Sequence, residues 1–144
     1  MSDNAVQHEV KDTLGNGCRA KVLPILFQLS KVLDESENFS QAISILLKIM
    51  ESNLGVIRGM VNLYHRKTGK IFIHESFGLT EEEERRGVYS PGEGITGKVV
   101  ESGRAVLVPR IGDEPNFLNR TQSRINEDYK NFSFICVPIM RGKK

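Results

Sequence analysis

The spacing of hydrophobic and polar residues changes once along this chain, close to residue 56. Before that point apolar residues recur every three or four positions, which is typical of helices. The spacing predicts a first helix over Val22–Leu33 and a second helix that starts at Asn38 or Ser40 and ends near Leu54. Pro24 fits the first turn of the first helix, where a missing N–H costs nothing.

After residue 56 polar and apolar residues alternate, which predicts strands. The strands cover Ile57–His65 and Lys70–Phe77, and Arg66–Gly69 between them is a hairpin turn. Strict alternation gives each strand one apolar face, with Ile71, Ile73 and Phe77 together on the second strand. The mixed faces carry Met60, Asn62 and Tyr64 on the first strand and Phe72, His74 and Ser76 on the second. A mixed face under a covering loop is typical of a small-ligand pocket, and a half-solvated sheet has the same pattern, so both interpretations stay open.

The elements that follow are shorter. Thr80 and Glu83 form a capping-box pattern, which predicts a short helix starting there. The later elements are a helix that runs from the glycine-rich residues 92–99 to Glu101, a strand over Arg104–Val108 and an apolar strand over Phe132–Ile139. The polar residues 110–130 form a long connection, which is often a lid or binding loop, and Phe117 and Leu118 are its expected anchors.

This order of elements predicts an α+β fold with a central antiparallel sheet flanked by helices. Residues 1–19 are polar and are predicted to be a flexible leader, so that the domain covers residues 20–144. The last strand is apolar enough for the middle of a sheet, yet no partner strand follows it within the chain. We therefore expect the domain to be incomplete at its carboxy-terminal end.

Composition narrows the function. With 144 residues and a net charge of +2, and with lysines and arginines spread among the acids, the chain lacks the basic face of a nucleic-acid-binding domain. No apolar run approaches the roughly 20 residues of a membrane span, and the polar start is not a signal peptide, which favours the cytoplasm. Cys18 and Cys136 are too far apart in sequence to predict a metal site or a disulfide framework.

The glycine-rich stretch Gly92–Val99 satisfies G-x-G-x-x-G and nearly satisfies the P-loop pattern. A P-loop needs a leading apolar strand and a Ser or Thr after the lysine, where Val99 stands. The dinucleotide pattern needs a strand and a parallel crossover, whereas the preceding hairpin indicates an antiparallel sheet. The stretch is therefore interpreted as a sharp turn and a helix start.

No pair of a nucleophile and a base is visible in the sequence. Cys136 lies inside an apolar strand, where a thiol is normally inert, and the three histidines show no metal-ligand spacing. We expect no catalytic residues and no metal ligands, and the chain is predicted not to be an enzyme.

Five local motifs resemble the amino-terminal GAF domain, a PAS-like fold, of NifA/AnfA/VnfA-type proteins. These are transcriptional activators of nitrogenase genes that work with the nitrogen-type sigma factor. The motifs are Gly59-Met60-Val61, Gly78-Leu79-Thr80-Glu81-Glu82, Gly92-Glu93-Gly94-Ile95-Thr96-Gly97-Lys98-Val99-Val100, Asp113-Glu114-Pro115-Asn116-Phe117-Leu118-Asn119-Arg120 and Ser133-Phe134-Ile135-Cys136-Val137-Pro138-Ile139. The resemblance covers residues 20–142.

The resemblance implies a sensory module that precedes an AAA+ ATPase domain and a DNA-binding domain, neither of which lies in this chain. It also implies that the last strands and closing helix of the GAF domain are missing. In that family some GAF domains respond to 2-oxoglutarate or to a regulatory protein, which makes either an expected effector. The cysteine cluster of AnfA-like sensors is reduced here to Cys18, and no cofactor is expected.

Two functions remain open. In the first, the domain binds a small molecule in a pocket and gates the attached ATPase. The residues expected to bind the ligand are Asn62, His74, Ser76, Thr96, Arg110 and Arg120. Of these, Arg110 and Arg120 would suit an anion, because the arginine fork matches carboxylates. In the second, the domain binds no ligand and forms a homodimer or docks a partner through the apolar stripe of residues 22–33, a stripe that packing within the domain explains equally well.

Overall fold

The computed structural model describes residues 16–123 and 127–140. These residues form two compact units that meet in sequence between Ile57 and Arg58. The first unit is helical, and the second combines helices and strands. Within the described ranges, no helix has both the length and the apolar character that crossing a bilayer requires.

The helical unit contains α1 (Asn16–Glu35) and α2 (Phe39–Leu54). Helix α1 begins six residues before the predicted Val22, so the assignment of Pro24 to a first turn was wrong, and Pro24 lies inside the helix. A proline there removes one hydrogen bond of the helix. Residues 16–21 include good helix formers but show no apolar periodicity. For this reason the hydrophobic pattern does not reveal the first part of α1. Of the leader predicted over residues 1–19, the first fifteen lie outside the described residues.

Local capping sets both ends of α2. The side chain of Asn38 accepts a hydrogen bond from the backbone amide of Gln41 at 2.9 Å, so Asn38 rather than Ser40 is the N-cap. At the other end Gly55 adopts a left-handed conformation with φ of 65° and ends the helix. Both ends therefore follow from side chains within one turn of the boundary.

The first sheet has three antiparallel strands in the order β1 (Gly59–His65), β2 (Lys70–Phe77) and β3 (Val88–Tyr89). The hairpin of β1 and β2 confirms the prediction. Strand β3 was not predicted, since two residues are too short to show a period. It pairs with β2 so that Tyr89 lies opposite Ile71.

A β-bulge in β2 changes which residues share a face. Val61 lies opposite Glu75 and Asn62 lies opposite Ile73, so His74 is the extra residue. Strict alternation therefore fails at this point, and Phe77 does not share a face with Ile71 and Ile73 as predicted. Cross-strand partners share a face of the sheet. The face with the fully buried Ile71 carries Met60, Asn62, Tyr64, Ile73, Ser76 and Tyr89.

Helix α3 (Glu81–Arg86) begins with the predicted capping box. The Thr80 hydroxyl accepts a hydrogen bond from the amide of Glu83 at 3.3 Å, and the Glu83 carboxylate accepts one from the amide of Thr80 at 2.7 Å. The Thr80 amide holds the pKa of Glu83 below its usual value. One turn further along the helix, Glu82 pairs with Arg86 at 3.0 Å.

Helix α4 (Gly94–Ser102) packs against a second antiparallel sheet, made of β4 (Val106–Val108) and β5 (Phe134–Cys136). The buried residues of this core are Ile95, Val99 and Val108, with Val106, Phe117, Phe134 and Cys136 packed around them. In the part of the chain that the structure describes, β5 pairs with β4 alone, whereas its apolar sequence predicted a place in the middle of a sheet.

Candidate functional site

The glycine-rich turn before α4 brings backbone atoms unusually close together. Gly92 and Gly94 have positive φ values of 80° and 61°, and the amide of Gly92 donates to the carbonyl of Gly97 at 2.9 Å. A Cβ atom added at Gly97 would lie 2.2 Å from the carbonyl oxygen of Ser90. The turn therefore depends on glycine for its shape, which confirms its interpretation as a turn and helix start.

The same turn fixes Glu93 at the start of α4. The Glu93 carboxylate accepts a hydrogen bond from the amide of Ser90 at 2.8 Å, and the Glu93 amide donates to the carbonyl of Ser90 at 3.0 Å. Although Glu93 is the N-cap residue, its side chain makes no capping bond to the helix. Its Oε2 atom instead accepts from the Ser90 amide, which leaves Oε1 for a partner across the turn.

Residues 116–123, here called the covering segment, lie over the start of α4. Lys98 on α4 donates to the side-chain oxygen of Asn116 at 2.6 Å. Arg86, at the end of α3, donates to the backbone carbonyl of Thr121 at 3.0 Å. The two bonds hold opposite ends of the covering segment to two different helices.

Arg120, in the middle of the covering segment, makes a further contact with the turn. Its guanidinium forms an ion pair with the Glu93 carboxylate and lies 6.0 Å from the centre of the Tyr89 ring. Both side chains of the ion pair are partly exposed, 40% for Arg120 and 35% for Glu93. The pair therefore closes the segment at the surface rather than in the core.

The backbone of the covering segment includes two conformations that side chains rarely adopt. Asn119 and Gln122 have positive φ values of 40° and 56°. Asparagine tolerates this region, whereas it costs glutamine about 1 kcal/mol or more. Such strain persists only where the surroundings hold the segment in place. The hydrogen bonds and the ion pair described above supply that restraint.

A cavity of about 30 Å³ lies under the covering segment. This is room for about one water molecule, and far less than a metabolite needs. The lining is mainly apolar, and Thr96 adds a buried hydroxyl-bearing side chain. The lining residues are Met60, Tyr89, Gly94, Ile95, Thr96, Phe117, Leu118, Asn119, Arg120, Thr121 and Phe134.

Of the six residues predicted to bind a ligand, the structure brings two to this cavity. Thr96 and Arg120 both line it. Asn62 lies on the same sheet face as Met60 and Tyr89, outside the lining, and its buried Oδ1 has no hydrogen-bond partner among the described residues. These three residues therefore lie on or beside the surface that encloses the cavity.

The other three predicted residues lie elsewhere. His74 is the exposed bulge residue of β2, and the Ser76 hydroxyl donates to the carboxylate of Glu84 at 2.6 Å. Arg110 is exposed, 3.6 Å from the carboxylate of Asp113, and donates to Asn131 at 3.2 Å. None of the three lines the cavity.

Sequence reasoning missed Glu93 and Tyr89 as parts of this site. Glu93 was assigned to the start of α4, and Tyr89 belongs to the unpredicted strand β3. The available signal for Glu93 was a charged residue between two glycines. Because glycines carry no side chain, the few side chains of such a turn are exposed and can reach a partner.

The predicted anchors Phe117 and Leu118 both line the cavity, and Phe117 packs edge-to-face on Phe134 at 5.6 Å.

Two titratable groups near the site have shifted pKa values. The backbone and side-chain amides of Asn116 hold the pKa of Glu114 below its usual value. Burial raises the pKa of the Cys136 thiol, which keeps its thiolate fraction small at neutral pH. In the described residues, no three side chains of the metal-ligating types His, Cys, Asp and Glu lie close enough to hold a metal ion.

Comparison with known proteins identifies the relatives of this chain. The GAF domain family model matches residues 38–144. The chain is 55% identical over 128 residues to nitrogen fixation protein VnfA and 49% identical over 127 residues to nitrogen fixation protein AnfA, both of Azotobacter vinelandii. A Nif-specific regulatory protein of Herbaspirillum seropedicae is 31% identical over 122 residues. The VnfA and AnfA matches each cover 88% of this chain but 24% of the relative, so the chain spans about a quarter of their length.

Solved structures agree on the fold. The GAF domain of A. aeolicus nlh2 in an inactive state has a TM-score of 0.74 and 26% identity, and the match covers 86% of this chain and 74% of that one. The GAF domain of a phosphoenolpyruvate-protein phosphotransferase from Coxiella burnetii has a TM-score of 0.69 and 17% identity, and the match covers 85% of this chain and 71% of that one. At that identity the second likeness concerns the fold alone.

Proposed function

The chain belongs to the GAF domain family, and from this premise we propose that it is the sensory regulatory domain of a nitrogen-fixation transcriptional activator. The observation that carries the proposal is the similarity to VnfA and AnfA over most of the chain. These relatives are about four times longer than the match, which leaves room for the AAA+ ATPase and DNA-binding domains that the resemblance implies. The domain would regulate that ATPase and would not itself catalyse a reaction. It would act in the cytoplasm, where transcription takes place.

In the proposed mechanism, the covering segment reports whether the site is occupied. A ligand favours whichever arrangement it binds more tightly, so it shifts the population between closed and open states of the segment. The segment is held by a few hydrogen bonds and one partly exposed ion pair rather than by deep burial. Such contacts suit a switch, because each can exchange for a contact with a ligand at small cost.

A domain exchange tests this function. If the matching 128-residue segment of VnfA is replaced by this chain, the hybrid should still activate VnfA-dependent promoters and should still distinguish the growth conditions that native VnfA distinguishes. A reporter gene in Azotobacter vinelandii measures both properties. The control is VnfA with the segment deleted, which should lose the distinction. A hybrid that behaves like the deletion in every condition would contradict the proposal.

A second function, a dimerisation module without a small-molecule ligand, is favoured by the apolar surface of α1. Leu23, Leu26 and Phe27 recur at helical spacing and are 73%, 53% and 72% exposed. Helical seams between two copies of a chain use residues spaced in this way. The inner stripe of the same helix contains Ile25, which is buried. The helix therefore presents apolar residues on more than one side.

Under this second function, Phe27→Lys is expected to weaken self-association by roughly tenfold or more, because exposed aromatic anchors dominate interfaces. Sedimentation equilibrium of wild type and of Phe27→Lys measures the change in the dissociation constant of the dimer. Leu54→Lys is the matched control, since Leu54 is 52% exposed at the end of the other helix. An unchanged mass for Phe27→Lys would remove α1 as the dimer seam.

A further inference from the structure

The strongest unexplained feature of the site is the position of Glu93. The turn holds the Glu93 carboxylate in an ion pair with the guanidinium of Arg120, which lines the cavity. The turn supports it through the Ser90 amide, so its position does not depend on Arg120 alone. A carboxylate in this position satisfies the one cationic side chain of the lining while the segment is closed.

The lining indicates what else could pair with Arg120. Most of the lining residues are apolar, and three of them, Tyr89, Phe117 and Phe134, are aromatic. Leu118 projects toward Gly94, where an added Cβ would lie 2.9 Å from its Cδ1. Leu118 is 44% exposed, so its side chain lies at the mouth and not in the core. If the covering segment withdraws, the space that Leu118 vacates suits a branched aliphatic body of similar size.

We propose that Glu93 is an internal substitute for the carboxylate of a ligand, and that a small monocarboxylate with an aliphatic body opens the site by displacing Glu93 from Arg120. The carboxylate of the ligand forms the bidentate pair with Arg120, and its aliphatic body replaces Leu118 against the apolar wall. The ion pair of Glu93 with Arg120 thus keeps the empty domain closed. This inference deepens the proposed sensory function and rests on it.

The chemistry of the site favours a single carboxylate over a dicarboxylate such as 2-oxoglutarate. Arg120 is the one cationic residue in the lining, and the other polar side chains there, Thr96, Asn119 and Thr121, are uncharged. A second carboxylate buried there would lose its hydration without a second cationic partner, which is costly. Arg110 does not serve as that partner, because it lies outside the lining and pairs with Asp113.

The test uses 4-methylpentanoate and its uncharged amide, which has nearly the same shape. Binding to the domain is followed by nuclear magnetic resonance of the backbone amides of residues 89–123. Wild type should bind the acid and not the amide. Glu93→Gln should bind the acid roughly threefold to fivefold more tightly, since the glutamine oxygen can still accept from Ser90 but no longer competes as a charge. Arg120→Met should bind it roughly tenfold more weakly or not at all, and Arg120→Lys should be intermediate.

Glu81→Gln is the matched control, because Glu81 pairs with Arg85 on an exposed helix face away from the lining. Its affinity should equal that of wild type. If Glu93 and Arg120 only fix the loop, Glu93→Gln will loosen the segment without raising affinity, which overturns the proposal. Equal binding of acid and amide, binding of 2-oxoglutarate instead, or no binding to either wild type or Glu93→Gln also overturns it. A domain exchange that still succeeds in those cases leaves the regulatory function intact.

Discussion

Gly97→Ala is expected to lower the free energy of unfolding by about 3 kcal/mol or more, at or above the upper end of the range for overpacking. The new methyl group would lie 2.2 Å from the Ser90 carbonyl oxygen and 3.1 Å from backbone atoms of Gly92. Backbone cannot rotate away as a flexible side chain can. The turn is also tied by its own hydrogen bonds, including that from Gly92 to the Gly97 carbonyl, so moving it breaks several contacts at once.

Urea unfolding followed by circular dichroism measures this loss. Gly69→Ala is the matched control, because Gly69 has φ of 65° but open space around the added atom. It should cost only about 1 kcal/mol for the left-handed backbone. If Gly97→Ala lowers the free energy of unfolding by no more than Gly69→Ala does, the turn has room for the methyl group. The close approach of Ser90 would then not be the reason that the turn requires glycine. Gly97→Ala should also displace Glu93 from Arg120, because both ends of the turn shift together.

Ile71→Ala is expected to cost roughly 3 kcal/mol, as is typical when a buried isoleucine is cut to alanine. Ile71 is fully buried, with 0% of its surface exposed. It lies opposite Tyr64 on one side and Tyr89 on the other. The loss combines the transfer of its methyl groups with the void they leave under the central strand.

The control for this prediction is Ile135→Ala, since Ile135 is 66% exposed on the outer face of β5. Its cost should remain within about 0.5 kcal/mol. Thermal unfolding of both variants beside wild type gives the comparison. Similar losses at the two positions would mean that Ile71 does not occupy the core of the sheet. Since Tyr89 also lines the cavity, Ile71→Ala should in addition broaden the resonances of the covering segment.

Elements whose cause is local could be predicted from the sequence. The capping box of Thr80 and Glu83 and the hairpin between β1 and β2 were predicted, and the structure confirms both. The start of α2 was predicted at Asn38 or Ser40, and the structure selects Asn38. Each depends on residues a few positions apart, so the chemistry is present in any short stretch of the chain. The resemblance to GAF domains rested on such local motifs, and the family match confirms it.

Other elements depended on partners far away in sequence. The bulge at His74 appears only when β1 is laid against β2, because one strand alone does not reveal an extra residue. Strand β3 exists because β2 offers it an edge. The start of α1 at Asn16 was also missed, since its first turns carry no apolar period. For the bulge and for β3 the deciding interaction lies outside the short stretch of sequence that a pattern covers.

The candidate site divides in the same way. By itself the sequence determined the fold family, the sharp turn at Gly92–Val99 and the need for a loop anchored by Phe117. Among the residues predicted from the sequence to bind a ligand, Thr96 and Arg120 line the cavity. His74, Ser76 and Arg110 were predicted for the same reasons but lie outside the lining. The tertiary structure was needed to show that Arg120 meets Glu93, twenty-seven residues earlier, beside a cavity with room for about one water molecule. The physical reason is that residue type sets what a side chain can bind, whereas the packing of distant segments sets what it can reach.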